Sequence, residues 1–129
     1  MLKRTMACLT LLLMVGCASN AQDDAIRALA DSRAAAINNR APYDMIDEYK
    51  IMKAQAREKT VEITILYGGG GKTPPTQAAK SAAISYCNSA ELSPLVSEGV
   101  NYNIVIMDMR GRTMAQEIVH SEFCAEMAN

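Results

Sequence analysis

The chain of 129 residues has no tryptophan, a single phenylalanine, Phe123, and a single histidine, His120. Aromatics are sparse, and no basic stripe interleaved with them is present. With 13 basic against 14 acidic residues and a formal net charge of −1, the chain carries no excess of positive charge and no basic stripe, so nucleic acid is not an expected partner. A lone histidine also removes the usual general base of hydrolytic chemistry. His120 has no recognisable partner, and the acid pairs Asp23-Asp24 and Asp47-Glu48 are adjacent along the chain and read as solvated acids. No catalytic residue, cofactor-binding residue or metal ligand is therefore assigned, and the chain is not expected to be an enzyme.

One stretch invites a different reading. Residues 67–75, YGGGGKTPP, place glycines before Lys72 and Thr73, as a phosphate-binding loop would. That loop needs glycine, four spacers and then Gly-Lys-Thr; counting back five from Gly71 reaches Leu66. Pro74 and Pro75 follow where free N–H donors are required. The stretch reads instead as a turn between a strand and a helix.

The start of the chain is informative. Lys3 and Arg4 precede an apolar run from Met6 to Val15, followed by Gly16-Cys17, the three parts of a secretory signal. The run is shorter than the ~20 residues a membrane span requires. Leu13-Met14-Val15-Gly16-Cys17 resembles a bacterial lipoprotein cleavage box, with Met14 where leucine is usual. Residues 1–16 are expected to be removed and Cys17 to carry lipid; plain cleavage after Ala18 is the alternative. In bacterial lipoproteins the residue after the cysteine sorts the protein, and Ala18 in place of aspartate implies the outer membrane, facing the periplasm, reached by the lipoprotein-sorting machinery. That compartment holds no nucleoside triphosphate pool, a second argument against a phosphate site.

Of four cysteines, Cys8 leaves with the signal and Cys17 takes lipid, which leaves Cys87 and Cys124. An even pair in an oxidising compartment suggests one bridge. The rival is a pair of metal-binding thiolates, although only His120 remains as a further soft ligand and the spacing is not that of a zinc site.

After a polar tether over residues 17–22, the expected single domain spans residues 23–129. A helix starting at Asp23-Asp24 carries Ile26, Leu29, Ala30, Ala34 and Ile37 on one face and stops near Asn38-Asn39 and Pro42. Two extended runs, Tyr49–Ala54 and Thr60–Tyr67, form a hairpin turning near Arg57–Lys59. Thr73 is placed to cap a helix with Pro74 first, over the alanine-rich stretch Thr76–Tyr86, in which Ala79, Ala82, Ala83 and Tyr86 make a smooth packing face. A short helix over Ala90–Ser97 stops at Gly99. Strands Asn101–Met109 and Thr113–His120, joined by Arg110-Gly111-Arg112, make a second hairpin, and the chain ends on a helical turn. Two hairpins predict an α+β domain: an antiparallel sheet of four or five strands with helices packed against it and one disulfide. In the first strand of the second hairpin both Tyr102, Ile104, Ile106 and the opposite row Val105, Met107 are apolar. A central strand covered on both faces is the favoured explanation, an apolar groove for a partner the alternative.

Cys87-Asn88-Ser89, Leu92, Leu95, then Ser97-Glu98-Gly99-Val100-Asn101-Tyr102-Asn103-Ile104, Asp108-Met109-Arg110 and Cys124 resemble the pilotin of the type II secretion system in its α+β form, called AspS or GspS-beta. Glu98-Gly99-Val100-Asn101-Tyr102, with a cysteine on either side, is the most specific part. The likeness is close over Cys87–Cys124 and looser from Tyr49; the glycine loop and the N-terminal helix do not match residue by residue. The resemblance implies an outer-membrane lipoprotein that binds the C-terminal segment of the secretin, escorts it to the outer membrane and promotes its assembly, with a disulfide bracketing the partner-binding half. The segment would order as a helix in an apolar groove. Surplus apolarity nominates Leu92, Leu95, Val96, Val105 and Met107 as partner-binding residues. The alternative is another periplasm-facing lipoprotein, an adaptor or inhibitor without catalysis.

Overall fold

The computed structural model describes residues 17–128, so the signal peptide expected over residues 1–16 lies outside the described residues. Helix α1 spans Cys17–Arg40, β1 Tyr49–Arg57, β2 Thr60–Tyr67, α2 Pro75–Asn88, α3 Ser93–Glu98, β3 Asn101–Met107, β4 Thr113–Val119 and α4 Ser121–Met127. The first helix starts at Cys17 rather than Asp23, so the stretch read as a tether is helical.

The sheet runs in the order β1-β2-β3-β4. Both expected hairpins are present as antiparallel pairs, the first turning through Glu58 with its left-handed φ of 56°. The pairing between them corrects the expectation of an antiparallel sheet: β2 and β3 run parallel, from Thr60↔Asn101 to Leu66↔Met107. The cause is the connection. Chain leaving β2 returns through α2 and α3 before β3 begins, and a helical crossover of this kind brings the next strand in with the same direction, where a tight turn would reverse it. The sheet is therefore mixed and four-stranded.

All the helices serve one face. Ile26, Ala30, Ala34 and Ile37 recur every three or four residues and form a buried stripe on α1, which lies over β1 and β2; Ala79 and Ala83 of α2 lie over β3 and β4. They close on the inward row Val61, Ile63, Tyr102, Ile104, Ile106 and Val119. Gly99 ends α3 at φ 117°, and a side chain there would press on Ile26. Thr73 does not cap α2: Pro74 occupies the cap position without a side-chain bond and Pro75 opens the helix, their fixed φ suiting the first turn.

β3 is a central strand with no exposed position, as the favoured explanation has it. Val105 is buried, but it stands apart from the core, between Thr64 and Gln116 in the sheet register. On the same outward face Ile118 and Met114 of β4 are exposed.

Candidate functional site

Helix α1 ends before the sheet does. Asn38 pins its last turn to the middle of β1, its Nδ2 donating to the Ala54 carbonyl and its Oδ1 accepting from the Ala54 N–H, both at 2.8 Å. Beyond Arg40 the chain crosses the end of β1, where the Tyr43 N–H donates to the Ile51 carbonyl at 3.0 Å. On the other side, α2 presents Gln77, Ala78, Ser81 and Ala82, short side chains for the most part, which leave the space between helix and loop unfilled. The result is an open groove of about 550 Å³, floored by Ile51, Ile65 and Ile106 and walled by α2 and by Tyr43, Asp44, Ile46, Asp47, Tyr49 and Thr73. A groove of this size with an apolar floor, and with Asp44, Asp47, Lys50, Thr73, Gln77 and Ser81 as polar groups on its walls, has the form of a recognition site. At its edge Met45 is 55% and Ile46 76% exposed, so two large apolar side chains face water beside an apolar floor.

The glycine loop leads into Thr73 on the groove wall, and four amides of the stretch from Gly68 to Thr73 are engaged within the chain. The Asp47 carboxylate accepts the Lys72 N–H at 2.8 Å and the Thr73 N–H at 2.9 Å. The Tyr67 hydroxyl accepts the Gly71 N–H at 3.0 Å, and the Glu48 carbonyl accepts that of Gly68 at 2.9 Å. The two amide bonds hold the Asp47 carboxyl below the usual carboxylate range. Asp47 is thus a clasp that stays open to solvent, and Asp23, also solvated as expected, pairs with Lys59 at 2.7 Å. Tyr49 stacks on Tyr67 with ring centroids 4.4 Å apart and donates its hydroxyl to the Thr73 carbonyl at 2.6 Å; burial, with Tyr67 and Asp47 nearby, pushes its phenol up.

Of the five residues nominated from surplus apolarity, none lines the groove. Leu92 and Val96 are buried in the core and Leu95 is half-buried against it, while Val105 and Met107 lie on the opposite face of the sheet. The structure does not gather them. The groove residues were missed because they come from separate elements that meet only in the fold, and Tyr43, Asp44, Ile46, Asp47 and Thr73 lie in loops, where periodicity has nothing to report; the available signal was Met45-Ile46, apolar side chains set between Asp44 and Asp47.

Cys87 and Cys124 form a disulfide, with Cα atoms 5.3 Å apart, that fastens the end of α2 to α4. The thiolate-pair alternative falls with it. His120 caps α4, its Nδ1 accepting the Phe123 N–H at 3.1 Å. Cys17 is the first residue of α1.

A two-layer domain with an apolar-floored groove, and with its histidine spent on a helix cap, has the build of a small binding module. Residues 22–124 match the family model of the type II secretion system pilotin, S protein, and the chain belongs to that family. The match includes α1 from residue 22 and the glycine loop, both of which the resemblance read from sequence had left out. Among solved structures, the pilotin AspS of Vibrio cholerae is 26% identical with a TM-score of 0.73, over 81% of this chain and 97% of that one. The pilotin EpsS of the Vibrio vulnificus type 2 secretion system is 25% identical, also with a TM-score of 0.73, over 81% and 96%. Lipoprotein YghG of Escherichia coli is 29% identical over 116 residues, 87% of this chain and 82% of its own.

Proposed function

We propose that this pilotin is anchored in the outer membrane by lipid on Cys17, faces the periplasm, and binds the C-terminal segment of the secretin in the groove between α2 and the 43–51 segment. The lipoprotein-sorting machinery then carries the pair, so a subunit without an outer-membrane address acquires one from its partner, and assembly of the secretin follows at that membrane. No catalysis, cofactor or metal enters this role.

The observation that carries the reading is the groove itself: an isoleucine floor between a helix and a loop, with Ile46 exposed at its edge. An amphipathic helix laid into it would cover both the floor and Ile46, with its apolar side chains at i, i+3, i+4 and i+7 as anchors. The anchor and the groove also lie at opposite ends of the molecule. Asp23 of α1 pairs with Lys59 at the β1–β2 turn, whereas the groove sits at the other end of the same strands. At 1.5 Å per residue, Ile37 stands about 30 Å along α1 from Cys17. Lipid and partner therefore do not compete for space.

Calorimetric titration of the oxidised Cys17→Ser chain, residues 17–129, with a synthetic peptide of the cognate secretin's C-terminal segment tests the partner. Saturable binding tighter than about 1 μM, ~8 kcal/mol, with a negative heat-capacity change is expected; absence of binding by the folded, disulfide-intact chain rejects it. For the anchor, Cys17→Ser in cells should leave the protein in the soluble periplasmic fraction, and retention in the outer membrane would reject lipid at that residue.

A further inference from the structure

The four glycines before Lys72 failed as a phosphate loop on spacing, yet the structure gives the loop an anion all the same. Consecutive amides of Lys72 and Thr73 converge on one carboxylate, an arrangement that in phosphate sites receives an external ligand. Here the ligand is Asp47 of the same chain. Its backbone and that of Glu48 are left-handed, at φ 49° and 70°, a conformation L-residues seldom adopt outside turns that contacts hold in place. Gly71 is required for the approach: a Cβ there would come within 2.5 Å of the Asp47 carbonyl oxygen and 3.2 Å of the Tyr67 ring. Gly69, by contrast, would direct a Cβ into open space.

The clasp joins the two walls of the groove. Asp47 and, at the start of β1, Tyr49 belong to one wall; Thr73, whose N–H donates to Asp47 and whose carbonyl accepts from Tyr49, leads through two rigid prolines directly into α2, the other wall. Opening these bonds would free the start of α2 to move relative to Ile46 and Tyr49.

We infer that Asp47 is a positioning residue for the groove: seated in the glycine loop as an internal anion, its carboxylate sets the separation of the two walls for an incoming helical segment. This rests on the groove being the secretin site. It also assigns the glycine loop a role in which Lys72 contributes chiefly its main-chain N–H.

The test uses the same peptide titration on the Cys17→Ser chain. Asp47→Ala and Gly71→Ala are each expected to weaken binding at least tenfold, and Asp47→Glu, which restores a carboxylate one methylene longer, to recover part of that loss. Lys72→Ala should bind within twofold of the parent. Amide exchange at Lys72 and Thr73 should speed up in Asp47→Ala while the core strands stay protected, which a general loss of structure would not reproduce. Should Asp47→Ala not fold, Asp47→Asn keeps the size and one acceptor and is expected to lose severalfold. Parent-like binding by Asp47→Ala or Asp47→Asn, with the peptide bound normally by the parent chain, overturns the clasp and leaves the partner assignment standing. Failure of the parent chain to bind overturns both.

Discussion

The two ends of this molecule are built differently. At the end near the start of α1, large side chains interlock: Tyr102 is fully buried with Tyr86 edge-on at 5.1 Å, Ile26 lies against Gly99, Arg33 of α1 reaches Glu91 at 2.8 Å, and the Cys87–Cys124 bridge holds α2 to α4. At the other end, α2 offers alanine and serine where bulk would have closed the gap, and the loop is held mainly by hydrogen bonds to backbone amides. The first arrangement buries apolar area and stabilises the fold. The second leaves apolar area unspent, which suits an end that is to be completed by another chain. Stability and recognition are thereby separated along the same four strands.

Four predictions bear on that separation. The largest effect is expected from the interlocked end: reducing the bridge, which spans 37 positions, should lower unfolding free energy by about 4 kcal/mol on the chain-entropy model. Urea unfolding with and without reductant measures it, and an unchanged midpoint would show that the bridge adds nothing to the packing. Next, Ile104→Ala in the fully buried row should cost about 3 kcal/mol with the bridge intact.

The groove end should respond in the opposite manner. Ile46→Asp, at a position 76% exposed, is expected to leave stability within about 0.5 kcal/mol but to weaken the peptide about a hundredfold, ~2.7 kcal/mol. A variant that melted early while binding normally would erase the contrast between the ends.

The smallest effect concerns acid. Asp47 is held below its ordinary value chiefly by the Lys72 amide, then the Thr73 amide, with the Lys72 charge adding to them, and Asp108 at the β3–β4 turn chiefly by the Arg112 amide. A depressed carboxyl contributes stability that is present above its unfolded pKa of about 4 and lost as pH falls through the folded value. Melting curves of the parent chain and Asp47→Asn should therefore differ near pH 6 and converge as pH falls through the lowered folded value of Asp47. A constant gap would show that the charge of Asp47 plays no part.

How much of this was legible follows from the range of the interactions. The β2 alternation of Val61, Ile63 and Ile65 and the spacing of Ile26, Ala30, Ala34 and Ile37 are local patterns, and both were read correctly from sequence. Cys87 and Cys124 were paired by counting thiols. The parallel pairing of β2 with β3 joins segments separated by two helices, and nothing in either strand specifies its direction relative to the other. Val105 misled because an apolar residue on the outward row has the same sequence pattern whether a helix, a partner or adjacent strands cover it. The groove was invisible for a related reason: it arises where α1 stops short and α2 carries alanine, an absence of cover that appears only when the two helices lie on one sheet.

The sequence by itself determined the helices, the two hairpins, the cysteine pair and the resemblance to pilotins, because periodicity, turn residues and motif spacing are written along the chain. Only the tertiary structure decided the mixed sheet, the place of the groove and the role of the glycine loop. Asp47 and Thr73 are far apart in sequence, and the carboxylate that fills the loop reaches it only after the 43–51 segment has folded back across the end of the sheet.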